Sequence, residues 1–337
     1  MFRYVILSVL VLSLAACFTA DAQENASEQE KLTADIRALS DALGDAADDR
    51  EAVDLLQDFL VEYPDTRYTA PVLNAVVYYL RDELGDHDGA IAAVKAHIPK
   101  IKDKEHLKGA QVVLAGAYNA PRFKADLRRQ VEKLNEYGPP AYGDYETLIE
   151  AAFGAEDWDL ALELCVPAGE KASPEGVKGD YPDAPEETVA ERSEARTVYV
   201  DICRGWALAN TGESDEAVSI FESAGERVDR DYFGLPSNEL HVYWGKTLMM
   251  KGDEEEALEK LLPAALWAEN EDAVEAVREM HAVLEPNGED FEDYLHRKRL
   301  ESARPMESFE ASDYSGELHD SKDLMGKVTL VSFWFPT

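Results

Sequence analysis

The sequence predicts a mainly α chain, an α-solenoid of helical hairpins followed by the incomplete start of an α/β domain. Three observations carry this. From residue 31 to 303 apolar residues recur at spacings of three and four, as in Ala52, Leu55, Leu56, Phe59 and Leu60, and β-branched runs are scarce. A short phrase, Gly212-Glu213-Ser214-Asp215-Glu216-Ala217, returns 40 residues later as Gly252-Asp253-Glu254-Glu255-Glu256-Ala257. Val328 to Phe335 is uncharged, β-branched and aromatic, bounded by Gly326-Lys327 and Pro336, which is the pattern of a strand buried on both faces.

At the N-terminus, Met1-Phe2-Arg3 precedes an apolar run from Tyr4 to Ala16, broken only by Ser8 and Ser13. A short positive segment before a core of this length is the pattern of a signal peptide, and the run is too short to span a bilayer comfortably as a permanent helix. It ends in Leu14-Ala15-Ala16-Cys17, which resembles the lipobox of bacterial lipoproteins. That resemblance implies residues 1–16 as the signal peptide, Cys17 as the lipidated mature N-terminus, and a cell-envelope protein facing the periplasm. The alternative is cleavage after Ala22 in Ala20-Asp21-Ala22, which would give a secreted or soluble periplasmic protein. Residues 17–30 are small and polar, and are expected to form a flexible tether.

The repeated phrase has further copies. Phe221 and Ala224 follow the first, and Leu261 and Ala264 the second. Gly85-Asp86-His87-Asp88-Gly89-Ala90 with Val94 is another, and Ala155-Glu156-Asp157-Trp158-Asp159-Leu160-Ala161 with Cys165 and Ala168 is a glycine-free relative. Ala52 with Leu56 and Leu60 begins a first copy. The pattern resembles the tetratricopeptide repeat, in which a glycine ends helix A, acidic residues cap helix B and a small alanine lets the two approach. The resemblance implies stacked hairpins over residues 31–303, with a concave face for a protein or peptide partner.

The spacing is uneven. Ala90 and Ala161 lie 71 residues apart, so a degenerate hairpin is expected between them, near Leu107 to Tyr118 and Phe123 to Tyr137. Ala161 and Ala217 lie 56 apart, and the Pro/Gly/Asp-rich stretch Pro167 to Glu187 reads as a loop insertion. Pro64 ends a helix, and helices over Ala273 to Leu284 and Phe291 to Ser302 should close the stack.

In residues 304–337 the order Phe309, Gly316, Leu324, Gly326, Lys327, Val331, Phe333, Trp334 resembles the opening of the thioredoxin-like thiol–disulfide oxidoreductases and peroxiredoxins. In that family the strand ending in Phe-Trp leads to the redox cysteine at a helix N-terminus, where the dipole favours thiolate. The resemblance makes Phe333, Trp334, Pro336 and Thr337 flanking residues of the active site and puts the redox cysteine after Thr337. Phe335-Pro336-Thr337 in place of the commoner small residue and tryptophan, and Pro305 four rather than two residues before Phe309, leave dithiol and peroxidatic chemistry both open. No catalytic residue and no cofactor is assigned to the chain itself.

With 33 basic and 69 acidic residues the net charge is −36. Such a surface repels phosphate backbones and anionic headgroups, so no nucleic-acid partner is expected and membrane contact only through a lipid at Cys17. Cys165 and Cys203 sit in helical pattern, as buried free thiols or as a disulfide between neighbouring repeats. His87 between Asp86 and Asp88 falls in a capped turn, and no histidine spacing indicates a metal site. Tyr78, Tyr79, Tyr118, Trp158, Trp206, Tyr243, Trp244 and Trp267 are expected in the core, with a groove for a partner peptide as the other role. Two functions follow: a cell-envelope thioredoxin-like oxidoreductase with a repeat module that recognises its partner, or a non-enzymatic envelope lipoprotein scaffold built on the same repeats.

Overall fold

A computed structural model describes residues 26–228, 238–267, 270–284, 288–302, 310–312, 318–320 and 322. The signal segment, Cys17, and the strand Val328 to Phe335 with Phe333, Trp334, Pro336 and Thr337 lie outside the described residues.

Helices dominate. In order they are α1 (Ala26–Asp45), α2 (Asp49–Glu62), α3 (Thr69–Tyr78), α4 (His87–His97), α5 (Lys104–Ala117), α6 (Lys124–Leu134), α7 (Tyr142–Gly154), α8 (Trp158–Ala172), α9 (Pro174–Asp180), α10 (Glu186–Thr211), α11 (Ser214–Arg227), α12 (Asn238–Lys251), α13 (Glu254–Trp267), α14 (Glu271–Leu284) and α15 (Phe291–Ser302). Short connections fold successive helices back on each other as α1/α2, α3/α4, α5/α6, α7/α8, α10/α11 and α12/α13, with α14 and α15 packed on α13 at the end. This is a stack of antiparallel helical hairpins, and α5/α6 is the degenerate hairpin anticipated between Ala90 and Ala161.

The turns explain why the hairpins close. Gly212 and Gly252 have φ of 96° and 82°, in the left-handed region that a Cβ disfavours. Around them the Gly212 N–H donates to Ala209 and the Glu213 N–H to Leu208, and the Gly252 and Asp253 N–H groups donate to Met249 and Leu248 in the same way. The turn without glycine keeps this geometry by placing Glu156 at φ 52°. Helix starts are capped by Asp48, Asp86 and Asp157, whereas Glu213 makes no side-chain cap. Ala90, Ala161, Ala217 and Ala257 are fully buried between paired helices. At Gly205 the helices are so close that a Cβ would lie 2.7 Å from the Phe221 ring.

Two expectations change. Residues 26–30, assigned to the tether, already belong to α1. Pro167 to Glu187 is mostly helical rather than a loop. Pro167 gives up one backbone hydrogen bond, yet α8 runs on because Ala168 and Ala172 remain buried on its inner face. Ser173 then caps α9 through the Gly176 N–H at 3.1 Å, Pro174 takes the first helical position, where its missing N–H costs nothing, and Val177 is fully buried. The extra spacing before Ala217 is therefore α9 together with the 26-residue α10.

α3 continues into a π-helical turn over Tyr79–Glu83, closed by the Leu84 N–H on the Tyr79 carbonyl. β1 (Glu310–Ser312) pairs antiparallel with β2 (Leu318–Asp320), Ala311 opposite His319. None of the described helices is long and apolar enough to cross a membrane.

Candidate functional site

The first helices of successive hairpins lie side by side: α3 on α5, α5 on α7, α10 on α12, and α12 on α14. They line one face of the stack. Glu150 in the middle of that face feels the charges of Arg81 and Asp82 from one direction and of Glu239 from the other. Residues from the hairpins two before and two after its own thus act on it, and we refer to this side as the inner face.

Helical spacing decides what the face presents. On α7, Tyr142, Glu146, Glu150 and Phe153 fall on one stripe; on α10, Tyr199, Cys203 and Trp206; on α12, Glu239, Tyr243, Lys246 and Met250. The Tyr142 hydroxyl donates to the Arg196 carbonyl at 3.2 Å, and the Arg196 guanidinium lies over its ring, 4.4 Å from the centroid. The Tyr199 hydroxyl donates to Glu150 Oε1 at 3.3 Å. Arg81 donates to the Gly116 carbonyl at 2.8 Å, tying the π-helical turn to α5.

The aromatic side chains form one connected group. Trp206 and Tyr243 stack with centroids 4.8 Å apart and planes at 6°, Trp158 meets Trp206 edge-on at 6.0 Å, and Phe153 touches both Trp158 and Tyr243. All four are only half-buried. The sequence reading placed Trp158, Trp206 and Tyr243 in the core by default; Trp206 and Tyr243 do pack against core clusters, yet all three rings are only partly covered.

The carboxylates of this face have unusual surroundings. Glu150 and Glu239 reach solvent and Glu146 is half-buried. Loss of hydration inside the groove pushes Glu150 above the ordinary carboxylate range, against the opposing pull of the Tyr199 hydrogen bond and Arg81. Glu146 is raised for the same reason, against Tyr142 and Arg196. Burial also pushes up the hydroxyls of Tyr142, Tyr199 and Tyr243, which therefore stay protonated as donors.

Further along α12, a cavity of about 290 Å³ opens between α12 and α14. Met249, Met250 and Ala276 supply apolar wall, and Lys246, Asp272, Glu275 and Glu279 its charged rim. Lys246 pairs with Asp272 at 3.6 Å. Met250 is 53% exposed, so a soft, adaptable side chain faces the opening.

Cys165 on α8 and Cys203 on α10 are free thiols, both buried. Burial pushes Cys165 up to about 12 and Cys203 well above the ordinary thiol value, with the charge of Cys165 adding to the effect at Cys203. A thiol held protonated in this way is a poor nucleophile. His87 is the first residue of α4, with Asp86 capping through the Gly89 N–H. His97 donates to the Pro64 carbonyl at 2.8 Å, and His106 meets Asp65 at 2.8 Å, so both fasten neighbouring hairpins. Among the described residues no three His, Cys, Asp or Glu side chains are grouped to hold a metal ion.

Sequence reasoning missed Glu146, Glu150 and Glu239. The signal was present in the interleaving of tyrosines and glutamates at helical spacing on α7.

No protein-family model matches the chain, and no curated protein matches it. Among solved structures the chain is similar to YrrB, described as a tetratricopeptide-repeat protein with an unusual peptide-binding site. The likeness has a TM-score of 0.34 and 18% sequence identity, and covers 67% of this chain and 100% of that one. At that level no residue, ligand or partner carries over from one chain to the other.

Proposed function

We propose that the repeat stack is a protein-interaction module whose inner face holds an extended segment of a partner, within a cell-envelope protein that continues into a thioredoxin-like thiol–disulfide oxidoreductase domain. The observation that supports binding is the half-buried group of Phe153, Trp158, Trp206 and Tyr243. A helical stack already has its core between the helices of each hairpin, so aromatic rings left half-covered on the inner face are apolar area kept for something else.

The redox half of this reading rests on the order of residues from Phe309 to Trp334, and the envelope half on Cys17 after Leu14-Ala15-Ala16. In it the module selects the partner, the thioredoxin-like domain acts on the partner's thiols or disulfide, and a lipid on Cys17 holds both at the membrane. No cofactor is needed.

A displayed library of extended peptides, selected against the full chain and against Trp206→Ala/Tyr243→Ala, tests the module. Selected peptides should bind with affinities of about micromolar order and weaken about tenfold or more on the double variant. Undiminished binding by the variant would remove the groove from the reading. Membrane fractionation of Cys17→Ser should show loss of membrane association; unchanged partitioning disposes of the lipid anchor. A thioredoxin-like domain predicts that a partner trapped through a mixed disulfide competes with the selected peptides, whereas a partner bound with no thiol exchange supports the scaffold.

A further inference from the structure

We propose that the segment held on the inner face is cationic and amphipathic, with a Lys or Arg side chain seated among Glu146, Glu150 and Glu239 against the Tyr199, Trp206 and Tyr243 rings, and an apolar side chain in the cavity between α12 and α14. This rests on the interaction-module reading and adds the chemistry of its ligand.

The first argument is an imbalance of charge. Several partly or wholly enclosed carboxylates are paired internally, Asp157 with Arg128 at 2.6 Å, Asp201 with Arg227 at 2.7 Å and Asp65 with His106 at 2.8 Å, while Asp144, alone on its own helix start, is held by the Ala141 N–H at 2.8 Å. Among the described residues Glu146, Glu150 and Glu239 have no lysine or arginine within ion-pair distance, and at Glu146 and Glu150 burial also strips part of the water. Partly dehydrated carboxylates without a cation are an incomplete arrangement that a bound cation completes.

The second argument is the rings beside them. A guanidinium or ammonium over an aromatic face gains attraction in addition to the ion pair. The protein makes this contact internally, with Arg196 over Tyr142 and Lys260 over Trp244, each 4.4 Å from the centroid. Tyr199, bonded to Glu150, and Tyr243, which feels its charge and stacks on Trp206, have no cation over their rings among the described residues.

The third argument is continuity. Glu239, Tyr243 and Met250 share one stripe of α12, and Tyr243 feels the charge of Asp272 on the cavity rim. An extended segment lying along α12 therefore meets carboxylates and rings first, then the Met249/Met250 wall. At about 290 Å³ the cavity lies just below the usual range for small-molecule pockets, so it suits one or two side chains better than a cofactor. The net charge of −36 would steer such a segment inward, with an on-rate that falls as salt rises.

The test uses the full chain and fluorescence anisotropy with four probes: an extended peptide alternating Arg or Lys with Leu, the same peptide with Glu at every basic position, a third with Ser at every Leu, and spermidine as competitor. The basic–apolar peptide should bind about a hundredfold or more tighter than the acidic one, and more tightly than the Ser peptide by about tenfold. Glu146→Gln/Glu150→Gln should weaken it about tenfold, Glu150→Asp alone should weaken it less, and neither variant should unfold at a lower midpoint than the parent. Equal or tighter binding of the acidic peptide overturns the proposal while leaving the module intact. So does selection of neutral library peptides that bypass the glutamates but still need Trp206 and Tyr243. Failure of every peptide takes the module reading down as well. Spermidine competing as strongly as the basic–apolar peptide would overturn the peptidic part, making the ligand a small polycation.

Discussion

Asp157 and Glu150 belong to the same hairpin, seven residues apart, and the molecule treats them in opposite ways. Asp157 is wholly enclosed and meets the Arg128 fork with two 2.6 Å hydrogen bonds, with Lys124 at 3.4 Å. Burial alone would push its carboxyl up, but Arg128, the Leu160 N–H and Lys124 outweigh burial and hold it below the usual range. Glu150 has one tyrosine hydroxyl and no cation at contact, and is held above that range. The carboxylate that fastens hairpins together is neutralised from within, whereas the one on the inner face is left for a charge from outside.

The strongest way to break this comparison is to remove the internal cation. Arg128→Ala leaves an enclosed carboxylate with only Lys124, and should cost about 2–3 kcal/mol in urea unfolding, reduced from the value for a fully buried pair because Arg128 is partly exposed. A change below about half a kcal/mol would mean Asp157 is solvated after all. Glu150→Gln should go the other way, leaving stability unchanged or raising it by about 0.5 kcal/mol, since it removes a charge the fold does not compensate.

The two groups also predict opposite pH behaviour. The folded pKa of Asp157 is depressed, so its contribution is complete above the unfolded carboxylate value and is lost as pH falls through the folded value. Glu146 and Glu150 have folded values raised above the unfolded ones, so their cost is present at neutral pH and fades as pH falls through those raised values. Urea unfolding followed from neutral to mildly acidic pH should show a component of rising stability that Glu146→Gln/Glu150→Gln removes. An identical profile in the double variant would count against the raised values. A separate effect belongs to the turn itself: Glu156→Gly relieves a left-handed backbone and should stabilise by up to about 0.5 kcal/mol without touching the Asp157 pair. Gly212→Ala should lose about 0.5–1 kcal/mol, because there a Cβ is introduced at φ 96°.

What could be read from the sequence follows the range of the interactions. Gly212, Gly252 and their alanine partners act within a few residues, so their hairpins were legible, as were the closing helices α14 and α15. The segment from Pro167 to Glu187 was misread because proline and glycine content is a local signal, while its helicity depends on Ala172 and Val177 finding burial against other elements. The site was less legible still. Glutamates on a highly acidic helical chain look like solvated surface, and only the convergence of α3, α7, α10 and α12 separates Glu146 and Glu150 from the rest. Trp158 and Trp206 looked like core because size predicts burial, but not whether a ring is covered on one face or both.

Among the described residues most buried apolar side chains fall into three clusters along the chain. One runs from α1 through α8 into α10, a small one is centred on Phe221, and a third spans α12 to α15. Since each hairpin leans mainly on its neighbours, most of the ordering is local, and structure can grow by adding one hairpin at a time as the chain leaves the ribosome. The same seriality makes the ends the first to fray. In native-state hydrogen exchange α14 and α15 should open without the first cluster, which would let the cavity end of the groove loosen around an arriving segment while the paired carboxylate at Asp157 keeps its register.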